Sequence, residues 1–168
     1  LFSGATNSNV DVSGWDVSNV TNMFRTFRNC AFNGNLSAWD VSSVTSMGSC
    51  FVGNTAFNQD LSAWDTSACT SMQQMFFGCT SFNQDLSSWD TSNVTHMDNM
   101  FNGCTAFKQA DELAAWDVTS VTTMSGMFTG CDINDPNSAS NQTNYNALLL
   151  AWSAQAVNTG VPFHAGTA

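Results

Sequence analysis

The sequence predicts an α/β repeat fold, a right-handed solenoid of short parallel strands and short helical or 3-10 segments with a C-terminal helical cap. Three observations carry this. The motif Trp-Asp-(Val/Thr)-Ser-x-Val-Thr-x-Met recurs with small variations, Trp15, Trp39, Trp64, Trp89 and Trp116 being separated by 24, 25, 25 and 27 residues, a period typical of stacked coils. Large apolar residues fall at fixed distances from each Trp. After Cys131 that register stops and a different segment begins.

One repeat is too small to bury its own apolar residues, so the copies must stack and share a core. Three positions before the Trp stand Val12, Leu36, Leu61, Leu86 and Leu113; five after it Val20, Val44, Cys69, Val94 and Val121. Eight after come Met23, Met47, Met72, Met97 and Met124, and twelve after come Phe27, Phe51, Phe76, Phe101 and Phe128. Each type then meets its own kind in the next coil, and burial at roughly 1.5–3 kcal/mol per large side chain is the main stabilising term. Met beside Phe adds sulfur–aromatic packing. Within a coil, Leu86 to Trp89 reads as a short parallel strand. Met97, Met100, Phe101 and Cys104 have the i, i+3, i+4, i+7 spacing of two helical turns, which Gly103 and its equivalents Gly53, Gly78 and Gly130 would end.

These patterns divide the chain into residues 1–135, a solenoid of about five 24–27-residue repeats with the first one partial, and residues 136–168, the cap. The opening Leu1-Phe2-Ser3-Gly4-Ala5-Thr6 matches the Phe-x-Gly-(Cys/Ala)-Thr half of a repeat, so the array is expected to begin further upstream, with any export signal there too. No apolar run reaches the length of a membrane span. Asp135-Pro136-Asn137-Ser138 reads as a turn cluster. Beyond it Thr143 or Asn144 is placed to N-cap a helix carrying Tyr145, Leu148, Leu149, Trp152 and Ala156 on one stripe, facing the last coil.

The repeat resembles that of BspA-type leucine-rich-repeat surface proteins, including the repeat of unknown function first described in mycoplasma lipoproteins. The resemblance rests on Phe57-Asn58-Gln59-Asp60-Leu61-Ser62-Ala63-Trp64-Asp65, on Phe82-Asn83-Gln84-Asp85-Leu86-Ser87-Ser88-Trp89-Asp90-Thr91-Ser92-Asn93-Val94-Thr95 and on Met100-Phe101-Asn102-Gly103-Cys104, and it covers about residues 1–135. It implies a leucine-rich-repeat-like solenoid, and a location outside the cell or on its surface. Segments similar to Asn144–Trp152 and Val161–Gly166 follow the repeats in that family, which implies a capping role for both. The sequence departs from the pattern at Asn54, at Lys108, where other copies have Asn, and in a two-residue insertion before Trp116.

Composition narrows the partners. With three Lys plus Arg against thirteen Asp plus Glu and a net charge of −10, nucleic acid and anionic membrane are poor partners, because phosphate binding needs a basic footprint. Sequons at Asn19, Asn35, Asn93 and Asn141 are compatible with glycosylation, or are simply part of a repeat unit containing Asn-x-Thr. Position fifteen after the Trp holds Cys30, Asn54, Cys79, Cys104 and Cys131. A coil spacing of about 4.8 Å permits disulfides between neighbours, and the position equally suits a small buried residue, as Ala5 suggests.

Two acidic rows stand out. Asp16, Asp40, Asp65, Asp90 and Asp117 follow the Trp residues, and Asp11, Asn35, Asp60, Asp85 and Glu112 precede them by four. Carboxylates one coil apart repel, so each needs a donor or a cation. Asx-turns to the Ser or Thr two positions on would supply the donor; calcium bridging Asp16, Asp40, Asp65, Asp90 and Asp117 is the alternative, and would be the chain's one cofactor. A third row, Thr21, Thr45, Thr70, Thr95 and Thr122, has the regularity of an ice-binding surface but equally suits turn satisfaction.

No triad, phosphate loop or zinc spacing appears, His96 and His164 being the two histidines, and an enzyme is not expected. The reading is an extracellular recognition or adhesion module that binds a protein or glycan. A spacer or self-assembling block of a surface layer or filament is the alternative, with a calcium-dependent adhesin or ice-binding protein more remote. Arg25, Phe77, His96 and Lys108 depart from bland positions and are the surface candidates.

Overall fold

The computed structural model describes residues 2–5, 10–109, 111–134, 139–155, 158 and 160–161. Each repeat forms one coil laid against the next, but the secondary structure differs from the expectation. A solenoid of parallel strands is not seen. Among the described residues there is no sheet, and parallel pairing is confined to isolated bridges along one rank, Asn22 to Ser46, Ser71, His96 and Thr123. Helix is confined to 3-10 turns at Glu112–Ala115 and Asp132–Asn134 and to α1, Ala139–Ser153. The leucine-rich-repeat-like assignment falls with the strands.

Residues 97–104 show why. The N–H groups of Met97, Asn99, Phe101 and Gly103 donate to Thr123, Ser125, Met127 and Thr129 of the next coil at 2.8–2.9 Å. Those of Met100, Asn102 and Cys104 donate three residues back at 2.9–3.2 Å. An α-helix needs each N–H bonded to the carbonyl four residues back, so sending alternate donors to a neighbour abolishes it. Instead the segment is a run of tight turns. Their third residues take positive φ at Arg25 and Asn29, Ser49 and Gly53, Gln74 and Gly78, Asn99 and Gly103, Gly126 and Gly130, as type II turns require. The glycines expected to end a helix therefore serve these turns. Gly126 is further constrained, since a Cβ there would lie 2.6 Å from Asn99 Oδ1.

The expected strand fails for a related reason. Trp89 N–H closes a turn on Leu86 at 3.1 Å, as the Trp of each of the other repeats does on the residue three before it. The indoles bridge the coils here, with Trp39, Trp64, Trp89 and Trp116 Nε1 donating to the carbonyls of Val12, Leu36, Leu61 and Leu86 at 2.9–3.0 Å. Ring stacks fill the interior. Phe27, Phe51, Phe76, Phe101 and Phe128 follow one another at 5.3–5.7 Å, nearly parallel, and each of the first four meets a second row, Phe32, Phe57, Phe82 and Phe107, at 4.0–4.4 Å. Phe2 extends the first row, 5.4 Å from Phe27.

The cap imitates a further coil. From α1, Tyr145, Leu148 and Trp152 are buried against the stack, and Trp152 Nε1 donates to Leu113 O at 3.1 Å with its ring 6.4 Å from Phe128. These partners match those of Trp116, which bonds Leu86 and sits 6.3 Å from Phe101. Gln155 accepts from Val118 N–H and donates to Trp116 O, both at 2.8 Å, and Asn158 donates to Val121 O at 3.0 Å. Backbone groups of the last coil are thus satisfied. Because α1 begins at Ala139, Thr143 and Asn144 lie inside it, not at its N-cap. Ala156 and residues 162–168 lie outside the described residues.

The departures from the repeat have local causes. The insertion before Trp116 is taken up by the 3-10 turn at Glu112–Ala115, leaving Leu113 fully buried. Asn33, Asn58 and Asn83 each accept, at Oδ1, a backbone N–H of the next coil at 2.9–3.0 Å. At Lys108 the row ends, and its ammonium pairs with Asp132 at 3.1 Å, tying the last coil to the approach to the cap.

Candidate functional site

The five Asp residues after the Trp row are exposed, and each accepts at Oδ1 the backbone N–H two residues on, from Ser18, Ser42, Ser67, Ser92 or Thr119, at 2.9–3.1 Å. Hydroxyls of Ser18, Ser42, Ser92 and Thr119 bond the same oxygens at 2.6–2.7 Å. These hydroxyls, then the N–H groups, hold Asp16, Asp40, Asp90 and Asp117 below the ordinary carboxylate range. For Asp40 the opposing push from Asp65 and Asp16 is the weakest influence, so local donors outweigh repulsion along the row. Asp11, Asp60 and Asp85 make the same turns to Ser13, Ser62 and Ser87. No group of three His, Cys, Asp or Glu among the described residues is arranged to hold a metal ion.

The Thr row has a comparable internal role. Thr45, Thr70, Thr95 and Thr122 each donate both N–H and hydroxyl to the carbonyl of the preceding Thr, at 2.9–3.1 Å. The row's regularity is thereby explained without an ice lattice. It also fixes a neighbour. A hydroxyl has one hydrogen, and Thr95 directs it to Thr70 O, so the 2.7 Å contact between Thr95 Oγ1 and His96 Nδ1 makes the ring nitrogen the donor. Neutral His96 therefore carries its proton on Nδ1, with Nε2 left as an acceptor on an exposed side chain.

Three of the four surface candidates lie on one face, the outside of the tight turns. Arg25 and His96 are exposed and Phe77 is 36% exposed, whereas Lys108 belongs to the pair with Asp132. Side chains at successive coils on this face differ: Asn22, Ser46, Ser71, His96 and Thr123; Phe24, Gly48, Gln73, Asp98 and Ser125; Arg28, Val52, Phe77, Asn102 and Thr129. The ranks beneath them hold constant Met and Phe. Phe24, 50% exposed, went unnoticed in the sequence; it leans over Gly48 and takes the Arg25 guanidinium at 4.7 Å from its ring centre. An aromatic residue aligned with Gly, Gln, Asp and Ser was the available signal.

Comparison with known families places this architecture. The pattern of the family described as "Mycoplasma protein of unknown function, DUF285" matches residues 1–112 and again 64–160. The chain belongs to this family. No curated protein and no solved structure matches it. Membership of the DUF285 family accounts for the repeat and brings no assigned activity.

In this DUF285 chain the six cysteines are free thiols, so the neighbour-to-neighbour disulfides do not form. Cys79, Cys104 and Cys131 donate to the carbonyls of Phe51, Phe76 and Phe101 at 2.7–3.0 Å. Burial pushes the Cys50 and Cys131 thiols to about 12 and raises Cys79 and Cys104 as well, which leaves them protonated and unreactive. Asn54 stands at the Cys79 position, fully buried. Its Nδ2 donates to Phe32 O at 2.8 Å, while Oδ1 has no hydrogen-bond partner.

Proposed function

We propose that this chain is a non-enzymatic recognition or adhesion module of an extracellular or cell-surface protein, which binds a protein or glycan through the outer face of its tight turns. The observation that carries the reading is the division of labour within each repeat. Inward ranks are constant and make the stack, while the outward ranks at Asn22, Phe24 and Arg28 and their equivalents change from coil to coil. Apart from local bonds such as those that Asn22 and Asp98 accept from Phe24 and Ser125 N–H, these side chains stay out of the stack, and such a face can be varied for binding at little cost to stability. The resemblance of the repeat motif to BspA-type surface proteins supports the same location. A spacer or filament block remains the second reading, since in-register coils of this kind extend by adding further copies.

The test is a screen of the intact protein against glycans and matrix proteins, repeated with Phe77→Thr and His96→Ser, residues that the repeat itself accepts at those ranks. A ligand lost with these substitutions is the expected result. Ligands bound equally well by both variants would move the site off this face.

A further inference from the structure

Both arginines of the chain, Arg25 and Arg28, lie in the first coil's turn, where Arg28 N–H approaches Arg25 O at 3.5 Å. Neither is in an ion pair with any described carboxylate, although the chain has thirteen acidic residues. The charges are segregated. Asp11, Asp16, Asp40, Asp60, Asp65, Asp85, Asp90, Glu112 and Asp117 occupy the two rows flanking the Trp residues, while residues 20–31, 44–57 and 69–82, the turn segments of the first three coils, contain no acid. On those coils Arg28, Val52 and Phe77 occupy one rank, linked by Asn29 N–H to Val52 O and Gly53 N–H to Phe77 O. On the same face Phe24, half exposed, lies over Gly48 and under the Arg25 guanidinium.

Exposed Phe24 and Phe77, half-buried Val52, the ring-stacked Arg25 and the half-buried Arg28, neither arginine in an ion pair, have the composition of a protein-binding hot spot. A guanidinium held on a ring is presented for bidentate carboxylate recognition. A sugar would need an open ring face, and Phe24 has Gly48 against it and Arg25 stacked on it. Resting on the recognition reading above, we propose that Phe24, Arg25, Arg28, Val52 and Phe77 dock an acidic segment of a protein partner, its carboxylates on the arginines and its apolar residues on Val52 and Phe77.

The experiment titrates the intact chain with a short labelled peptide alternating Glu and Leu, with its Gln/Leu counterpart, and with a heparin fragment. Variants take residues from the same ranks, Arg25→Gln with Arg28→Asn, and Phe77→Thr, so the turns keep side chains that they already tolerate at Gln74, Asn102 and Thr129; thermal melting confirms that each folds. The wild type should bind the Glu/Leu peptide at least about tenfold more tightly than the Gln/Leu peptide, and either variant should weaken it by about as much. Absence of Glu/Leu binding, or binding unchanged in both variants, overturns the proposal. Preference for the heparin fragment overturns it in favour of a sulfated glycan. Ligands from the broader screen that still depend on Phe77 would leave the recognition reading standing in each of these cases.

Discussion

Replacing Trp152 by Phe tests whether the cap works as a substitute coil. The change keeps an aromatic ring near Phe128 but removes the donor that meets Leu113 O at 3.1 Å. Leu113 O keeps the Trp116 N–H that closes its own turn at 3.0 Å, so losing the second donor costs about the net worth of one hydrogen bond, about 0.5–1.5 kcal/mol. The lost part of the indole adds about 1 kcal/mol, for a total of about 1.5–2.5 kcal/mol. Trp89→Phe removes an equivalent bond, to Leu61 O at 3.0 Å, from a comparably buried ring, and should cost the same. Trp15 has no such carbonyl among the described residues and is 43% exposed, so Trp15→Phe should cost less than about 0.5 kcal/mol. Denaturant unfolding gives the three values, and hydrogen exchange locates them: Trp152→Phe should loosen the Thr122 amide, bonded to Thr95 O, before those of the first coils, since stability in a stack is local. A Trp152→Phe protein as stable as the wild type, beside a destabilised Trp89→Phe, would refute the reasoning.

Other outcomes follow from the polar rows. The Asp65→Asn, Asp90→Asn double variant should lose about 1 kcal/mol or less per site, because Asn accepts the same turn N–H, and melting should be the same with calcium or a chelator; a calcium-dependent rise lost in the double variant would restore the metal reading. The Asp carboxylates are held below their ordinary value in the folded state, so their contribution is complete above about pH 4 and is lost as pH falls through the lowered values. Melting temperature measured against pH should therefore be level near neutrality and drop below about pH 4, and the Asn variants should drop less. Asn54→Cys removes the unpartnered Oδ1 together with the Nδ2 donor to Phe32 O, two effects of opposite sign, and should change stability by less than about 1 kcal/mol, read by denaturant unfolding. Nitrogen-resolved NMR of His96 should find the neutral ring protonated at Nδ1, and Thr95→Val should abolish that preference.

Much of the packing was legible because the ranks repeat. Phe27 through Phe128 could be aligned by counting, and identical residues one coil apart stack wherever the coils are in register. The Asx-turns followed from Asp-x-Ser in the same way. The path of the backbone between those residues was not legible. Met97, Met100, Phe101 and Cys104 have helical spacing because successive tight turns also point a residue inward every three or four positions, and a side-chain pattern does not reveal which carbonyl an N–H meets. Gly53, Gly78, Gly103 and Gly130 were visible signals of positive φ, but Arg25, Asn29, Ser49, Gln74 and Asn99 adopt it without glycine. On the outer face, Arg25, Phe77 and His96 stood out as irregularities. Phe24 and Arg28 did not, since their importance comes from charge segregation between faces and not from the repeat motif.

The central claim is that each repeat separates inward residues that build the stack from outward residues that are free to vary, and the third coil tests it most directly. A saturation scan of residues 61–82, read by unfolding free energy, should find Leu61, Trp64, Met72, Met75, Phe76 and Cys79 intolerant, with Phe76→Ala costing about 3–5 kcal/mol. Ser71, Gln73 and Phe77 should accept most polar residues within about 0.5 kcal/mol. Equal losses at Phe76 and Phe77 would contradict the division on which both the fold and the proposed binding face depend.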